Sequence, residues 1–185
     1  TAPRLILATG GKALPRSGSD GGGYALARGL GHSITDGLWP ALVPLRLADG
    51  HVLRSLSGVA TRAGLELRSG TNKRLISFTN DTLCTHFGLS GPGPMDVSRH
   101  LTAARRADAD AGLFACWLPG MSAEEGERTL LGLGKRSVGR WLRESLPERL
   151  AVALCEEAGI EPATPGSALT REQRRAVRTA VFEMP

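Results

Sequence analysis

The sequence is poor in aromatic residues, in cysteine and in long apolar runs, and each shortage excludes a class of protein. Phe, Trp and Tyr make up 4% of the 185 residues, so a surface that stacks nucleic-acid bases has little to be built from. Three widely spaced cysteines leave no Cys-x-x-Cys redox motif or zinc knuckle, and they favour a reducing cytoplasm. No apolar run approaches the roughly 20 residues that span a bilayer, so no membrane segment is expected.

The remaining composition is that of a globular protein with many turns. Hydrophobic residues make up 41% of the chain and charged residues 22%, which allows a core and disfavours disorder. The 24 glycines and 11 prolines disfavour long helical bundles. The length fits one domain or two small domains that share an interface. Because the chain starts with Thr1 and ends on an apolar stretch, we expect an excised fragment.

The net charge of +5 is carried by arginine and concentrated in the first half of the chain. No basic run there exceeds two residues, and the arginines are spread through predicted strands. A nucleic-acid site would cluster arginines on one face and interleave aromatics, so a solvated surface is favoured and no nucleic-acid partner is expected. The alternative is a basic β-barrel module that binds RNA or another polyanion.

The first 31 residues predict a strand, a turn and a helix. Residues 5–8 form a continuous apolar run that is typical of a buried strand in a parallel sheet, and residues 9–11 close it with a tight turn. Asp20 is a good N-cap for a helix that Gly31 would end. The glycine-rich residues 18–23 could cradle a phosphate, but a turn that leads into the helix is favoured.

After residue 31 the pattern becomes β-rich, and after residue 121 it becomes helical. Strands are predicted at residues 42–45, 52–53, 59–60, 65–68, 75–78 and 111–118, and a short helix at residues 95–101. Capping boxes at Ser122 and Thr170 open two helices, and Pro147 interrupts the helical pattern between them. We therefore predict an α+β fold with three parts: residues 1–31, a β-rich barrel or sheet over 32–121, and a helical subdomain over 122–185.

Sequence motifs alone indicate little chemistry. No Gly-x-Gly-x-x-Gly follows a strand, and the four histidines are too scattered to predict a metal site. A nucleophilic role for Cys84 is disfavoured, because nothing in the sequence shows a nearby base. Residues 85–92 combine hydroxyls, an imidazole and several glycines, which suits either a ligand-binding loop or a tight structural crossover. Residues 88–94 are too rich in Gly and Pro for regular structure.

Two stretches together resemble a known family. The first reads L-I-L-A-T-G-G over residues 5–11 and continues S-G-S-D-G-G-G-Y over residues 17–24; the second reads T-H-F-G-L-S-G-P over residues 85–92. In this order they resemble the bacterial FAD-dependent, NAD(FAD)-utilising dehydrogenases, which include flavoproteins similar to aminoacetone oxidase and bile-acid dehydro-steroid reductase. The resemblance covers residues 5–99, and the helical tail matches only in character.

The resemblance implies that the chain is the central insert domain of a longer FAD-dependent oxidoreductase, with residues 1–31 as the edge of its Rossmann-type FAD domain. The parent would transfer hydride between NADH or NADPH, FAD and a small organic substrate, and its other FAD-binding segments would be this fragment's partners. The fragment alone would be inactive. The residues implied to contact FAD are Thr9, Gly10 and Gly11. Those implied to line the flavin and substrate cleft are Thr85, His86, Gly88, Ser90 and Gly91. No catalytic residue is assigned, and the candidates for donating a proton or orienting the substrate are Thr85, His86 and Ser90.

Overall fold

The computed structural model describes residues 3–185, and the chain divides into two compact units, Thr1–Pro40 and Ala41–Pro185. The first unit contains a short 3-10 helix, Pro15–Ser17, and helix α1, Gly22–Gly29. The Asp20 carboxylate accepts a hydrogen bond from the Gly22 amide at 2.8 Å, but Gly21 holds the N-cap position, so the predicted cap at Asp20 is displaced by one residue. Gly31 follows the last turn and donates its N–H to the carbonyl of Arg28 at 3.0 Å.

The strand predicted at residues 5–8 is wrong for this structure. These residues have no regular secondary structure and are exposed, with Ile6 at 88% of its maximum accessibility. A strand of a parallel sheet requires a neighbouring strand to pair with, and residues 3–40 contain none. The described first unit is therefore a turn and a helix, without the strand of the predicted strand-turn-helix.

The second unit is built on a five-stranded antiparallel sheet that curls into a half-barrel. Its strand order is β1-β4-β3-β2-β5. The two long strands, β2 and β3, form the central hairpin through the turn around Gly70, and β5 pairs with the outer side of β2. The strand bounds are β1, Leu45–Arg46; β2, Ala60–Arg68; β3, Arg74–Thr85; β4, Gly88–Ser90; and β5, Gly112–Cys116. The predicted α+β class, with a small antiparallel barrel-like sheet and C-terminal helices, is confirmed.

Three local predictions in the β-rich part are wrong. Of the strand predicted at residues 42–45, only Leu45 lies in a strand, β1. Residues 52 and 53 belong to a 3-10 helix, Val52–Leu56, because the His51 ring accepts the Leu53 N–H at 3.2 Å and caps that turn. Residues 88–94 are regular rather than irregular. They contain β4 and the start of helix α2, Pro92–Ala107, and they are held by pairing of Leu89 with Cys84.

Helix α2 lies on the inner face of the half-barrel and extends the predicted helix at both ends. It packs mainly on β3, where the rings of Phe78 and His100 lie 5.6 Å apart. Prolines occupy positions 92 and 94 of its first turn, and the Met95 amide donates to the carbonyl of Gly91 at 3.1 Å. Its buried residues include Val97 and Ser98.

Four α-helices and a 3-10 helix, Gly166–Ala168, follow β5. Both predicted capping boxes are confirmed: the Ser122 hydroxyl accepts the Glu125 amide, and the Thr170 hydroxyl accepts the Gln173 amide. Pro147 ends one helical stretch and precedes the next, as predicted. The helices are α3, Ala123–Gly132; α4, Val138–Leu142; α5, Glu148–Glu157; and α6, Arg171–Phe182.

One hydrophobic core joins the sheet and these helices. Trp117, which directly follows β5, is fully buried between them, together with Leu65 of β2 and Val181 of α6. The Arg149 side chain of α5 donates to the carbonyls of Ser55 and Ser57. No helix within residues 3–185 combines the length and apolarity that crossing a membrane requires.

Candidate functional site

The predicted FAD contacts, residues 9–11, lie beside the first turn of α1. The Thr9 hydroxyl sits where a side chain at Gly23 would be, so only glycine fits there. Gly10 has φ +70°, a conformation that glycine adopts readily. A Cβ at Gly10 would lie 3.0 Å from the Ser19 hydroxyl, and one at Gly11 3.2 Å from the Tyr24 hydroxyl. These contacts pack the segment closely against the loop and α1.

The backbone of this segment is available to a ligand. Within the described chain, the amides of residues 9–11 make no hydrogen bond, and the segment is mostly exposed. The Lys12 side chain lies across Gly21, the residue before α1, where a Cβ would meet Lys12 Cε at 2.6 Å. Exposed amides, a lysine and a nearby helix start are chemically compatible with a cofactor that carries phosphates. The donor set therefore fits the group that the resemblance implies.

The second group of predicted site residues forms the turn between β3 and β4. The Thr85 hydroxyl donates to the Gly88 carbonyl at 3.0 Å and accepts the Gly88 amide at 3.1 Å. Both hydrogen-bonding roles of this hydroxyl serve the turn, so Thr85 shapes the loop. His86 and Phe87 form the tip, with their rings edge to face at 5.0 Å.

Two glycines of this loop are required by close backbone approaches. A side chain at Gly88, where φ is +153°, would collide with the carbonyl oxygen of Leu45 on β1. A Cβ at Gly91 would lie 3.0 Å from the carbonyl oxygen of Asp81 and 3.3 Å from the Leu83 nitrogen of β3. These close backbone approaches explain why both positions are glycine. They also constrain the backbone on either side of Ser90.

His86 is exposed, and its position is held by residues that the sequence motif does not contain. Arg54 donates from Nε to the His86 carbonyl at 3.0 Å, and its guanidinium also pairs with Asp49. The hydrogen bond and charge of Arg54 hold the pKa of the Asp49 carboxyl below its usual value. Sequence analysis missed this pair, because Arg54 and His86 are 32 positions apart and no local pattern links them.

The hydroxyls around Ser90 differ in their surroundings. Ser90 is half-buried, and its hydroxyl has no hydrogen-bond partner among the described residues. Thr82 is buried below the start of α2, and its Oγ1 also lacks a partner within the described chain. Of the predicted candidates, the His86 imidazole and the Ser90 hydroxyl are thus free to meet a ligand, and the Thr85 hydroxyl is committed to the turn.

Cys84 is placed on β3 next to this loop as a core residue. It is 2% exposed, and burial raises the pKa of its thiol to about 11. A neutral, buried thiol is a poor nucleophile, so the structure also disfavours that role. Within residues 3–185, no three His, Cys, Asp or Glu side chains converge as metal ligands would.

A cavity of about 710 Å³ lies between α3 and α6, and its lining contains none of the predicted site residues. It combines glutamates of both helices with Arg171, Arg175 and Arg178. The walls of this cavity therefore carry both signs of charge.

Comparison with protein families identifies the second unit, which contains the turn of residues 85–91. Residues 39–185 match the family described as "HI0933-like protein barrel and H2TH domain". The chain belongs to this family. The matched residues contain the whole half-barrel and all of the helices from α2 onward, so the resemblance seen in the sequence is confirmed at the level of the family.

The relatives of this HI0933-like domain include a reductase and two ribosomal RNA dihydrouridine synthases. The chain is 36% identical over 124 residues to the 3-dehydro-bile acid delta(4,6)-reductase of Clostridium scindens, covering 67% of this chain and 30% of the relative. It is 32% identical over 100 residues to the ribosomal RNA dihydrouridine synthase of Escherichia coli, covering 52% of the chain and 23% of the relative. The ribosomal RNA dihydrouridine synthase of Haemophilus influenzae is 30% identical over 122 residues, covering 65% of the chain and 27% of the relative. The chain thus spans less than a third of the length of the relatives it matches.

Proposed function

We propose that this HI0933-like domain is the insert domain of a longer FAD-dependent oxidoreductase, and that it shapes the substrate side of the flavin cleft. The observation that carries the proposal is the 36% identity to a reductase over 67% of the chain. The exposed apolar residues 5–7 support it further, because an exposed apolar run suits burial against other segments of the parent. We expect the parent to act in the cytoplasm.

Residues 9–11 are proposed as the FAD contacts of this piece. Their amides would donate to the cofactor, Gly10 and Gly11 would allow its close approach, and Lys12 would face its negative charge. FAD, when bound, supplies hydride transfer, with NADH or NADPH as the proposed donor to the parent. The remaining FAD-binding segments of the parent would complete the site.

The proposed reaction is the addition of hydrogen to a carbon–carbon double bond. Names such as delta(4,6)-reductase and dihydrouridine synthase both denote a product richer in hydrogen than its precursor. One carbon of the double bond would receive a hydride and its neighbour a proton. We propose the turn of residues 85–91 as the wall of this cleft. His86 would supply or orient the proton, and the Ser90 hydroxyl would bind a polar group of the substrate.

A second candidate function is binding of RNA. It is supported by the two relatives named ribosomal RNA dihydrouridine synthase and by the basic first half of the chain. The two candidates are compatible if the substrate of the parent is a base within RNA. Retention of the parent on immobilised ribosomal RNA that falls steeply with added salt would favour it, since phosphate contacts release counterions. If the parent is not retained even at low salt, RNA binding is excluded as its function.

A flavin absorbance spectrum tests the main proposal. The parent chain, extended at both ends of this sequence, is expected to purify yellow, with the two absorption bands of oxidised flavin. Addition of NADH or NADPH without oxygen should bleach those bands. A parent that stays colourless after incubation with FAD would overturn the proposal and leave the polyanion-binding module as the better account.

A further inference from the structure

Strand β5 has a second edge on which pairing has already begun. The Ala115 amide donates to the Met184 carbonyl at 2.7 Å, and the Met184 amide donates to the Ala115 carbonyl at 3.0 Å. The Trp117 amide also donates to the carbonyl of Val181 at 2.8 Å. A reciprocal pair of bonds is the repeating unit of an antiparallel ladder. One unit of a sixth strand is therefore present on the edge of β5 that faces away from β2.

The next unit of this ladder lacks its partner. Backbone groups facing one edge recur at every second residue, so Leu113 points its N–H and C=O the same way as Ala115. Within residues 3–185 no backbone group pairs with Leu113 on that side. The register that joins Ala115 to Met184 places Leu113 opposite the second residue after Met184. Pro185 falls opposite Phe114, where its missing N–H would point away from β5, so the proline is compatible with a continuing strand.

The two ends of the sheet border one cavity. β1 and β5 are the two ends of the sheet order, and a cavity of about 110 Å³ is lined by residues of both. Its apolar wall includes Leu45, Leu101, Leu113 and Met184. A strand paired with the free edge of β5 would lie roughly 4.8 Å from it. A residue opposite Leu113 would share its inward face and direct its side chain into this cavity.

We propose that the free edge of β5 binds a strand formed by the residues that follow Pro185 in the parent, and that this strand closes the half-barrel toward β1. The inference rests on the proposed function, which makes this chain part of a longer flavoprotein. It is supported by the share of the relatives' length, less than a third, that the chain spans. The free edge of β5 determines the chemistry of the segment that binds there. This segment is extended, it has an N–H opposite Leu113, and its side chain at that position is apolar.

Hydrogen exchange of single amides in the parent tests this strand. The Ala115 amide is bonded to Met184 and serves as the internal reference. If the strand is present, the Leu113 amide should exchange within about tenfold of the Ala115 rate, because both would open in one cooperative unit. Exchange of Leu113 more than about tenfold faster than Ala115 would overturn the proposal. Protection of Leu113 that appears only at concentrations where the parent dimerises would also overturn it, because a second copy would then occupy the edge.

A pair of cysteine variants gives a second measurement that does not depend on exchange. Leu113 and Phe114 are both half-buried, but only Leu113 lines the cavity. In the parent, alkylation of the Leu113→Cys variant should be slower than that of the Phe114→Cys variant, and equal rates would contradict the strand. The flavin spectrum of the same samples keeps the two proposals apart. Yellow protein with an unprotected Leu113 leaves the oxidoreductase function standing and removes the sixth strand.

Discussion

The hydroxyl of Thr85 bonds both backbone groups of Gly88, accepting its N–H at 3.1 Å and donating to its C=O at 3.0 Å. A Thr85→Val variant keeps the shape of the side chain and loses both bonds. We expect the free energy of unfolding to fall by about 1–3 kcal/mol, since two hydrogen bonds are lost and two groups of Gly88 lose their partner. Urea denaturation measures the difference. Thr79→Val on the exposed face of β3 is the control, and equal effects of the two would contradict the role of Thr85.

Gly88 is expected to tolerate no side chain. A Gly88→Ala variant places its Cβ against the carbonyl oxygen of Leu45, at a φ of +153° that disfavours alanine. Strain and a shifted β1 should lower the free energy of unfolding by about 2 kcal/mol or more. The control is Gly132→Ala, at the end of α3 where a Cβ meets nothing within 4 Å. The Gly132→Ala change should be neutral or slightly stabilising. Thermal melts of both variants measure the difference in stability, and equal melting temperatures would contradict the requirement for glycine at position 88.

His86 should affect turnover and leave cofactor binding intact. In the parent, a His86→Ala variant is expected to retain its flavin spectrum and to lower kcat by roughly a hundredfold to ten-thousandfold, the range expected for loss of a proton donor. His100→Gln, an imidazole lost from α2, is the control and should retain turnover. Unchanged kcat in the His86→Ala variant would exclude His86 from the reaction.

The three serine and threonine N-caps allow a matched comparison of helix capping. Ser122 and Thr170 accept amide hydrogen bonds in capping boxes, whereas the Ser137 side chain before α4 makes no such bond. Replacement of Ser122 or Thr170 by Ala should cost about 1 kcal/mol of stability each, because an amide of the first turn loses its acceptor. Ser137→Ala should have little effect. If all three variants melt alike, the capping boxes do not stabilise the fold.

Alkaline pH should destabilise the protein through its buried thiols. Burial raises the pKa of Cys84 and of Cys155 to about 11, from an ordinary value of 9.0. Above pH 9 the unfolded chain releases protons that the folded chain keeps, so the free energy of unfolding falls as pH rises from 9 to 11. The expected fall is on the order of 1–2 kcal/mol per thiol. Urea midpoints from pH 8 to 11 should show a shallower slope in a Cys84→Ala, Cys155→Ala double variant, and equal slopes would refute the assignment.

Local patterns predicted those parts of the fold that depend on nearby residues. The capping boxes at Ser122 and Thr170 were found because donor and acceptor lie three positions apart. The period-two pattern predicted strands at residues 59–60 and 65–68, near the two ends of β2, and at residues 75–78, near the start of β3. The strand at residues 5–8 failed because an apolar run does not show whether a partner strand exists. Val52 was assigned to a strand by its residue type, and the His51 ring instead caps a 3-10 turn there.

The sequence motif indicated the loop of residues 85–91, but it did not indicate the tertiary contacts that hold this loop in place. The glycines and hydroxyls of residues 85–91 indicate a tight loop from sequence alone. The contact from Arg54 to the His86 carbonyl depends on how the 3-10 helix packs against β3, which only the tertiary structure determines. The orphaned hydroxyl of Thr82 likewise depends on the position of α2 above it.

The prolines at the start of α2 have a consequence for ligand selectivity. Pro92 and Pro94 carry no N–H, and the Met95 amide is already bonded to Gly91, so the first turn retains only the Gly93 amide as a donor. An ordinary helix start solvates an anion with several amides at once. A phosphate or carboxylate placed at the start of α2 would therefore find few amide donors. An uncharged carbonyl or ring in the same place would lose less by this shortage.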